Sequence, residues 1–563
     1  MDIIFSEITI IICLVAILSV VFQRFNQPAI LAYILTGVIV GPLGIIDIQN
    51  QNFLETLSSF GITLLLFMLG LEIKIREFPS IGKIALIVGA GQIIATLLFG
   101  FILAVSFGFS YVSSLYIGVA LAFSSTIIVV KLLSDKRDLH SLSARVVVGI
   151  LVIQDFLAIL VLIFLSSFNI EGSIAETFVG FSLALVKAII LFSFVIYLSL
   201  KFFPKIVEFL SKSQEVLFLV SIAWAFGLAT VVSSPIIGFS VEIGGFLAGL
   251  ALANSIANYQ IIGKARVLRD FFIILFFVAI GTKMTFGNDY SILFPAIALS
   301  LFVFILKPLV VIISMGFLGF RKRTSFLSGI SLAQISEFSL IIVFLGNKLG
   351  HIPQNVVTLI TLVGLITFTI SSYMIANSNS LYQNLSSYFK IFEKKHTKEE
   401  KMISSDEGLE NLDGHTVLIG GDQMGESILE ALQDLGKRIV VIDFDPAIVK
   451  KLVDKKSLSI YGDISDLDIQ DRAKLNTARL IISTIPDIED NLLLLKKHKV
   501  ENRRSKIVVM ALDSTDAKIL YKEGADYVIL PHLAGGRQIA QILKEDRLEE
   551  ITKLKNKDMR YLT

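Results

Sequence analysis

From its start to about Ala376 the chain alternates long apolar runs with short polar ones, and about 20 apolar residues match the hydrocarbon thickness of a bilayer. Few architectures tolerate that pattern, because backbone in lipid must satisfy its own hydrogen bonds and only helices or closed barrels do so. On this criterion about thirteen helical spans are expected, centred near Leu14, Val38, Leu65, Ala95, Leu121, Asp155, Phe192, Ile222, Phe246, Phe276, Phe304, Ile341 and Ile366. Composition agrees: 54% of the 563 residues are hydrophobic and 17% charged, against roughly 25% charge in soluble chains. The net charge of +2 is a near cancellation of 50 basic against 48 acidic residues, so no nucleic-acid partner is expected. Residues Ile3 to Phe22 imitate a signal peptide, but Met1-Asp2 supplies no basic start and no small-residue cleavage site follows, so a retained helix is expected. The one cysteine, Cys13, allows no intrachain disulfide and reads as a small buried apolar residue.

Lys and Arg accumulate in cytoplasmic loops, and here every second loop is basic. The series runs Arg24; Lys74, Arg76 and Lys83; Lys131, Lys136, Arg137 and Arg145; Lys201, Lys205 and Lys212; Lys264, Arg266 and Arg269; Arg321, Lys322 and Arg323. The intervening connections hold almost no basic residues, with Lys283 and Lys348 as exceptions. This orients a multi-pass protein of the cell (inner) membrane with its amino terminus outside and its carboxyl terminus in the cytoplasm.

After Ser378 the composition turns polar, and four parts are expected: a transmembrane domain over 1–380, a charged linker over 381–413, a soluble domain over 414–543 and a charged tail over 544–563. In the soluble part, strand-like segments Thr416–Ile419, Arg438–Asp443, Ser457–Tyr461, Ala478–Ser483, Lys506–Met510 and Tyr527–Leu530 alternate with helix-like Glu426–Leu435, Pro446–Val453 and Asp490–Lys497. That alternation predicts a doubly wound parallel sheet. The fold class is thus an α-helical polytopic membrane protein joined to a cytoplasmic α/β Rossmann-like domain.

Within the apolar part, Gln154-Asp155 stands between long apolar runs. A central carboxylate costs on the order of 2.5 to 3.5 kcal/mol to insert and usually marks an ion or proton pathway rather than a packing position. Two other spans are interrupted by polar residues, at Ser124-Ser125-Thr126 and at Gln334-Ile335-Ser336-Glu337. Serines bonding back to the preceding turn are the bland explanation; broken helices that cross beside an ion site are the functional one. Position favours the second, since each interrupted span adjoins one with an ionisable residue, Asp155 after the first and Lys307 before the second, an order that suggests inverted repeats. Lys307 lies too deep to snorkel to water easily, and a buried ammonium needs a counter-charge. The economical expectation is that it pairs with Asp155 until a cation displaces it.

The Gln-Asp helix, the Ser-Ser-Thr interruption, Lys307, Val241-Glu242-Ile243-Gly244-Gly245-Phe246, Arg269-Asp270-Phe271-Phe272 and Phe276-Phe277-Val278-Ala279-Ile280-Gly281 resemble the monovalent cation/proton antiporter-2 family, and within it the Kef-type potassium/proton branch, over nearly the whole chain. The resemblance implies a homodimer, a core moving like an elevator against a fixed dimerisation domain, a TrkA-N/RCK-like regulatory domain at the carboxyl end, and an ancillary cytoplasmic subunit. It implies a monovalent cation and a proton competing for Asp155. The expected cation/proton site is Asp155, Gln154, Lys307, Ser125, Thr126 and Glu337. A neutral Gln beside a single Asp gives a weaker field and one charge to neutralise, which points to potassium exchanged one-for-one with a proton, electrically silent. Glutathione control is not implied, because Ile256 to Arg266, where gated Kef systems carry an acidic loop, holds basic residues and no acid.

In the soluble domain Val417-Leu418-Ile419-Gly420-Gly421-Asp422-Gln423-Met424-Gly425 fits a strand, a glycine turn and a helix start, the arrangement that brings a pyrophosphate to a helix amino terminus. Asp443 and Asp445 stand where an acid bonds a ribose, and Gly462-Asp463 resembles an adenine-side turn. Asp422 replaces the second glycine of G-x-G-x-x-G, and its bulk and charge disfavour a dinucleotide. A regulatory adenine nucleotide (AMP, ATP or NAD(H)) is expected, with no covalent cofactor; a Rossmann fold serving only dimer contacts is the alternative. Sodium is the nearest rival to potassium as substrate. A ligand-gated potassium channel is the rival of another class, but no TVGYG-type filter is present. No enzyme chemistry is expected, as no catalytic cluster accompanies the glycine turn, and His532 in Pro531-His532-Leu533 reads as a structural turn residue.

Overall fold

The structure is a computed structural model, and it describes residues 3–43, 51–72, 82–136, 141–166, 174–210, 213–234, 237–255, 257–284, 292–318, 320, 322–385, 412–443, 446–462, 464, 467–501, 505–545, 547, 549–551 and 554–555. Two compact units divide the chain, one made chiefly of residues up to Phe392 and the other chiefly of residues from Glu393.

The first unit is helical: α1 (Ile3–Arg24), α2 (Ala29–Val40), α3 (Gln51–Glu72), α4 (Gly82–Ser106), α5 (Tyr111–Ala122), α6 (Thr126–Asp135), α7 (Leu142–Ser166), α8 (Ile174–Lys201), α9 (Phe203–Leu210), α10 (Gln214–Val232), α11 (Val241–Leu252), α12 (Asn258–Thr282), α13 (Leu293–Phe317), α14 (Lys322–Ser331), α15 (Glu337–Lys348), α16 (Gln354–Ala376) and α17 (Ser378–Leu385). Among the described residues eight helical spans are long and apolar enough to cross a membrane, and α2 and α11 are apolar but shorter. With α5/α6 and α14/α15 each taken as one crossing, and the short α9 and α17 set aside, the helices form thirteen segments.

Small residues let these helices approach closely, as packing in lipid demands. A Cβ added at Gly249 on α11 would lie 2.0 Å from the Phe67 carbonyl oxygen on α3, and one at Gly37 on α2 would lie 2.1 Å from the Val278 oxygen on α12. Cys13 is exposed on α1, not buried as its size suggested; α1 also presents Phe5, Ile17 and Val20 outward, the apolar surface of a helix at the rim of a bundle.

Both interruptions are true breaks, written locally by serines. Ser125 caps α6, accepting from the Ile128 N–H at 3.2 Å. Ser336 caps α15, accepting from the Phe338 N–H at 3.1 Å, while the Ser339 hydroxyl accepts from the Ser336 N–H at 3.2 Å. A side chain that satisfies the first amides of a helix defines a start, so each apolar run is divided into two half-helices instead of continuing. The helices beside them, α7 and α13, run through their polar residues unbroken.

The second unit holds β1 (Thr416–Ile419), α18 (Gln423–Asp434), β2 (Ile439–Asp443), α19 (Pro446–Asp454), β3 (Ser459–Tyr461), α20 (Leu467–Arg472), β4 (Leu480–Ser483), α21 (Ile488–Glu501), β5 (Lys506–Met510), α22 (Ser514–Glu523), β6 (Tyr527–Ile529) and α23 (Pro531–Lys544). Its strands lie in the order β3-β2-β1-β4-β5-β6, and each adjacent pair is parallel, as Leu418 beside both Val441 and Ile482 illustrates. This is the doubly wound order of dinucleotide-binding folds, with its switch point at the ends of β1 and β4. The central strands β1 and β2 are buried on both faces, which is why they read as continuous apolar runs. Helix α22 escaped the apolar pattern because its start is set by Asp513, which accepts from the Thr515 and Asp516 amides at 2.8 and 3.0 Å. His532 sits in the first turn of α23, after a proline at its start, and not in a free-standing turn.

Candidate functional site

The two breaks meet. The Ser124 hydroxyl donates to the Leu332 carbonyl at 3.0 Å and the Ser339 hydroxyl donates to the Ala120 carbonyl, so each half-helix pair is tied to the other. Helix α7 braces the first break: the Gln154 Oε1 accepts from the Ser124 N–H at 3.0 Å, and its Nε2 donates to Gln92 Oε1 on α4. Gln92 in turn donates to Thr96 Oγ1 at 2.9 Å and to the Ala122 carbonyl at 3.0 Å. Gln154 therefore clasps backbone, with both ends of its amide engaged. Gln92 was not anticipated, although an amide inside the apolar run of α4 is the same kind of signal as Gln154.

Asp155, one residue on, is 5% exposed, and Thr126 Oγ1 donates to its Oδ2 at 2.9 Å. Lys307 is fully buried. The expected pair with Asp155 is not formed: the ammonium donates instead to the Phe123 carbonyl at 2.7 Å, Ser124 Oγ at 3.0 Å and the Gln334 carbonyl at 2.5 Å. The reason lies in the breaks, whose last carbonyls have no intrahelical donor and carry the negative ends of the half-helix dipoles. Glu337, 3% exposed, stands at the opposite ends. Its carboxylate is in hydrogen-bonding reach of Ser125, of the Ile127 N–H and of its own N–H, and Ser336 Oγ approaches it at 3.5 Å. All six residues expected at the cation/proton site thus converge on the crossing, with roles partly redistributed.

A cavity of about 680 Å³ reaches Ser125, Ile127 and Glu337 at one end. It is also lined by Gln23, Gln27, Lys131, Arg269 and Asp270. Lys283, just after α12, closes a cluster: its Nζ lies 2.7 Å from Glu55 Oε1 and 4.9 Å from the Phe344 ring centroid, and Gln354 Nε2 donates to its carbonyl at 2.7 Å.

The glycine turn of the second unit has the form needed to approach a phosphate. Gly420 adopts φ +90°, and a Cβ on Gly425 would lie 2.0 Å from the Gly420 oxygen, so glycine is required at both positions. Asp443 Oδ2 accepts from the Gly421 N–H at 2.6 Å, and Thr484 Oγ1 donates to the Gly420 carbonyl at 3.2 Å. One oxygen of the residue expected to hold a ribose is therefore engaged in shaping the turn. Asp422 is exposed where the second glycine would stand, and Gln423 and Met424 open α18. Lys455 and then Lys451 hold the Glu426 carboxyl, in the first turn of α18, below its usual range. Gly462 closes β3, with its N–H donating to the Asp443 carbonyl at 2.9 Å. Asp445 and Asp463 lie outside the described residues.

Residues 10–377 match the family model described as sodium/hydrogen exchanger, transmembrane, and residues 416–531 match the TrkA-N domain. The chain is similar to the putative cation/proton antiporter YbaL of Escherichia coli, 24% identical with 94% of each chain covered. It is 24% identical to the putative K(+) efflux antiporter KefB of Alkalimonas amylolytica, covering 94% of this chain and 81% of that one. Against the Na(+)/H(+)-K(+) antiporter GerN of Bacillus cereus, identity is 26%, covering 66% of this chain and 95% of that one. Its helical unit carries the exchanger model and its parallel sheet the TrkA-N match: the chain belongs to the sodium/hydrogen exchanger family and is a membrane cation/proton antiporter with a TrkA-N domain.

Proposed function

We propose that the chain exchanges potassium for a proton, one for one, at Asp155, with access alternating by an elevator-type movement. The observation that carries the site is the placement of a buried carboxylate against the Thr126 hydroxyl at the first turn of a half-helix, where two broken helices cross. Without a proton or a cation, Asp155 leaves the crossing with an uncompensated ion site that is too costly to carry across. With a proton or a cation it is neutral and can cross, so the two compete for one place and exchange follows. Ser125 and Thr126 supply neutral oxygens for the cation, Gln154 fixes the break, and Lys307 and Glu337 hold the half-helix ends.

The elevator reading is supported by the cavity, which separates α6 and α15 from the α1–α2 turn and α12. The relatives named as potassium antiporters support potassium, and GerN, named for sodium as well, keeps sodium as the rival. The alternation of basic loops supports an inner-membrane protein with its amino terminus outside and its TrkA-N domain in the cytoplasm, working as a homodimer with an ancillary subunit. The glycine turn supports regulation of exchange by an adenine nucleotide in that domain, and calorimetry showing no adenine-nucleotide binding would refute this part. The decisive experiment is a pH-dye assay in proteoliposomes given potassium, sodium and other monovalent ions in turn. Potassium is expected to drive the largest signal, and Asp155→Asn to abolish it; exchange retained in that variant would remove Asp155 from the site.

A further inference from the structure

We infer that Lys307 and Glu337 form a fixed, mutually compensating charge pair, so that the loaded crossing carries no net charge and its movement is indifferent to membrane voltage. This rests on Asp155 being the ion site. The geometry is complementary. The Lys307 ammonium takes the carbonyls that close the first half of each broken helix, Phe123 after α5 and Gln334 after α14. Glu337 is the first residue of α15, at the opening of the second half of its broken helix, and shares one cavity with Ser125 and Ile127 at the opening of α6. Each group thus stands at dipole ends of opposite sign to its charge.

Neither residue needs to exchange a proton for the cycle to run. The two charges sum to zero, so Asp155 alone counts ions: neutral with a cation, neutral with a proton, and negative only when empty. A crossing with Lys307 but no acidic counterpart would carry one positive charge in both half-cycles. One charge moved through the whole field shifts the balance of two orientations by up to about fiftyfold per 100 mV. One-for-one exchange is electrically silent over the whole cycle in either case; the second carboxylate accounts for each half-step being indifferent to voltage as well.

The test compares the parent chain with Glu337→Gln, Lys307→Met and the double variant in proteoliposomes. Exchange is followed by a pH dye while a thiocyanate gradient sets the voltage. The parent rate is expected to be flat with voltage, each single variant to become voltage-dependent within the fiftyfold-per-100-mV limit, and the double variant to be flat again. Single variants as flat as the parent, or a double variant as sensitive as the singles, would overturn the pairing. So would a changed number of protons per cation in Glu337→Gln, because Glu337 would then be an exchanged site. If Glu337→Gln fails to fold, a double variant that folds and transports supports charge balance, and one that also fails overturns it in favour of a structural need for the carboxylate. The Asp155→Asn result is read separately: exchange retained there refutes the ion site whatever the voltage data show.

Discussion

At the scale of single residues, the crossing shows how a membrane protein solvates charge with its own backbone. Among the described residues Lys307 has no ionic partner at hydrogen-bonding distance; two carbonyls and a hydroxyl stand in for the carboxylate, each otherwise an unsatisfied group in a medium without water. The same logic makes Gln92 more than filler. Gln92→Leu would leave the Ala122 carbonyl and the Gln154 amide without their partner, at a cost of about 1 to 3 kcal/mol for a buried unmet group. A thermal melt of the purified transporter should show Tm lowered by several degrees, with exchange slowed as the first break loosens. Unchanged Tm and rate would show that the clasp is dispensable. Asp155, Lys307 and Glu337 were legible because ionisable residues inside apolar runs are costly and therefore informative. Phe123 and Gln334 were not, since every residue has a carbonyl and only the fold decides which one meets an ammonium.

At the scale of elements, the breaks were visible as polar interruptions, and their serine caps are local chemistry. What holds the helices in place around them is less local. Lys283, one of the two exceptions to the alternation of basic loops, follows the end of α12 and joins it to α3 through Glu55, to α15 through the Phe344 ring and to α16 through Gln354. The cluster ties α15, the second half of one broken helix, to α12, and α12 to α3 and α16. Lys283→Ala should free that closure. Hydrogen exchange of the amides over 345–358 is expected to speed up about fivefold, the size of a partly exposed ion pair; unchanged protection would show that the cluster bears no load. These contacts could not be read from a loop count, because Glu55, Phe344 and Gln354 are far from Lys283 along the chain.

At the scale of the whole molecule, a helical exchanger unit and a doubly wound sheet share one chain. The sheet keeps the glycines its turn requires at Gly420 and Gly425 and departs at Asp422, where a carboxylate is exposed beside the place a phosphate would take. Asp422→Gly restores the fingerprint and removes a like charge, so NAD(H) affinity by calorimetry on the full chain is expected to rise about tenfold, the worth of one moderate electrostatic contact. Equal affinities would mean that the departure does not govern nucleotide choice.

The sequence by itself determined the membrane class, the two breaks, the parallel sheet and the buried ionisable residues, because each follows from short-range patterns of polarity and from the cost of charge in lipid. The tertiary structure alone decided that Lys307 answers to carbonyls and not to Asp155, and that Gln154 braces backbone and joins Gln92. Those pairings join helices far apart in sequence, and the dipole ends that select them exist only once the broken helices have crossed.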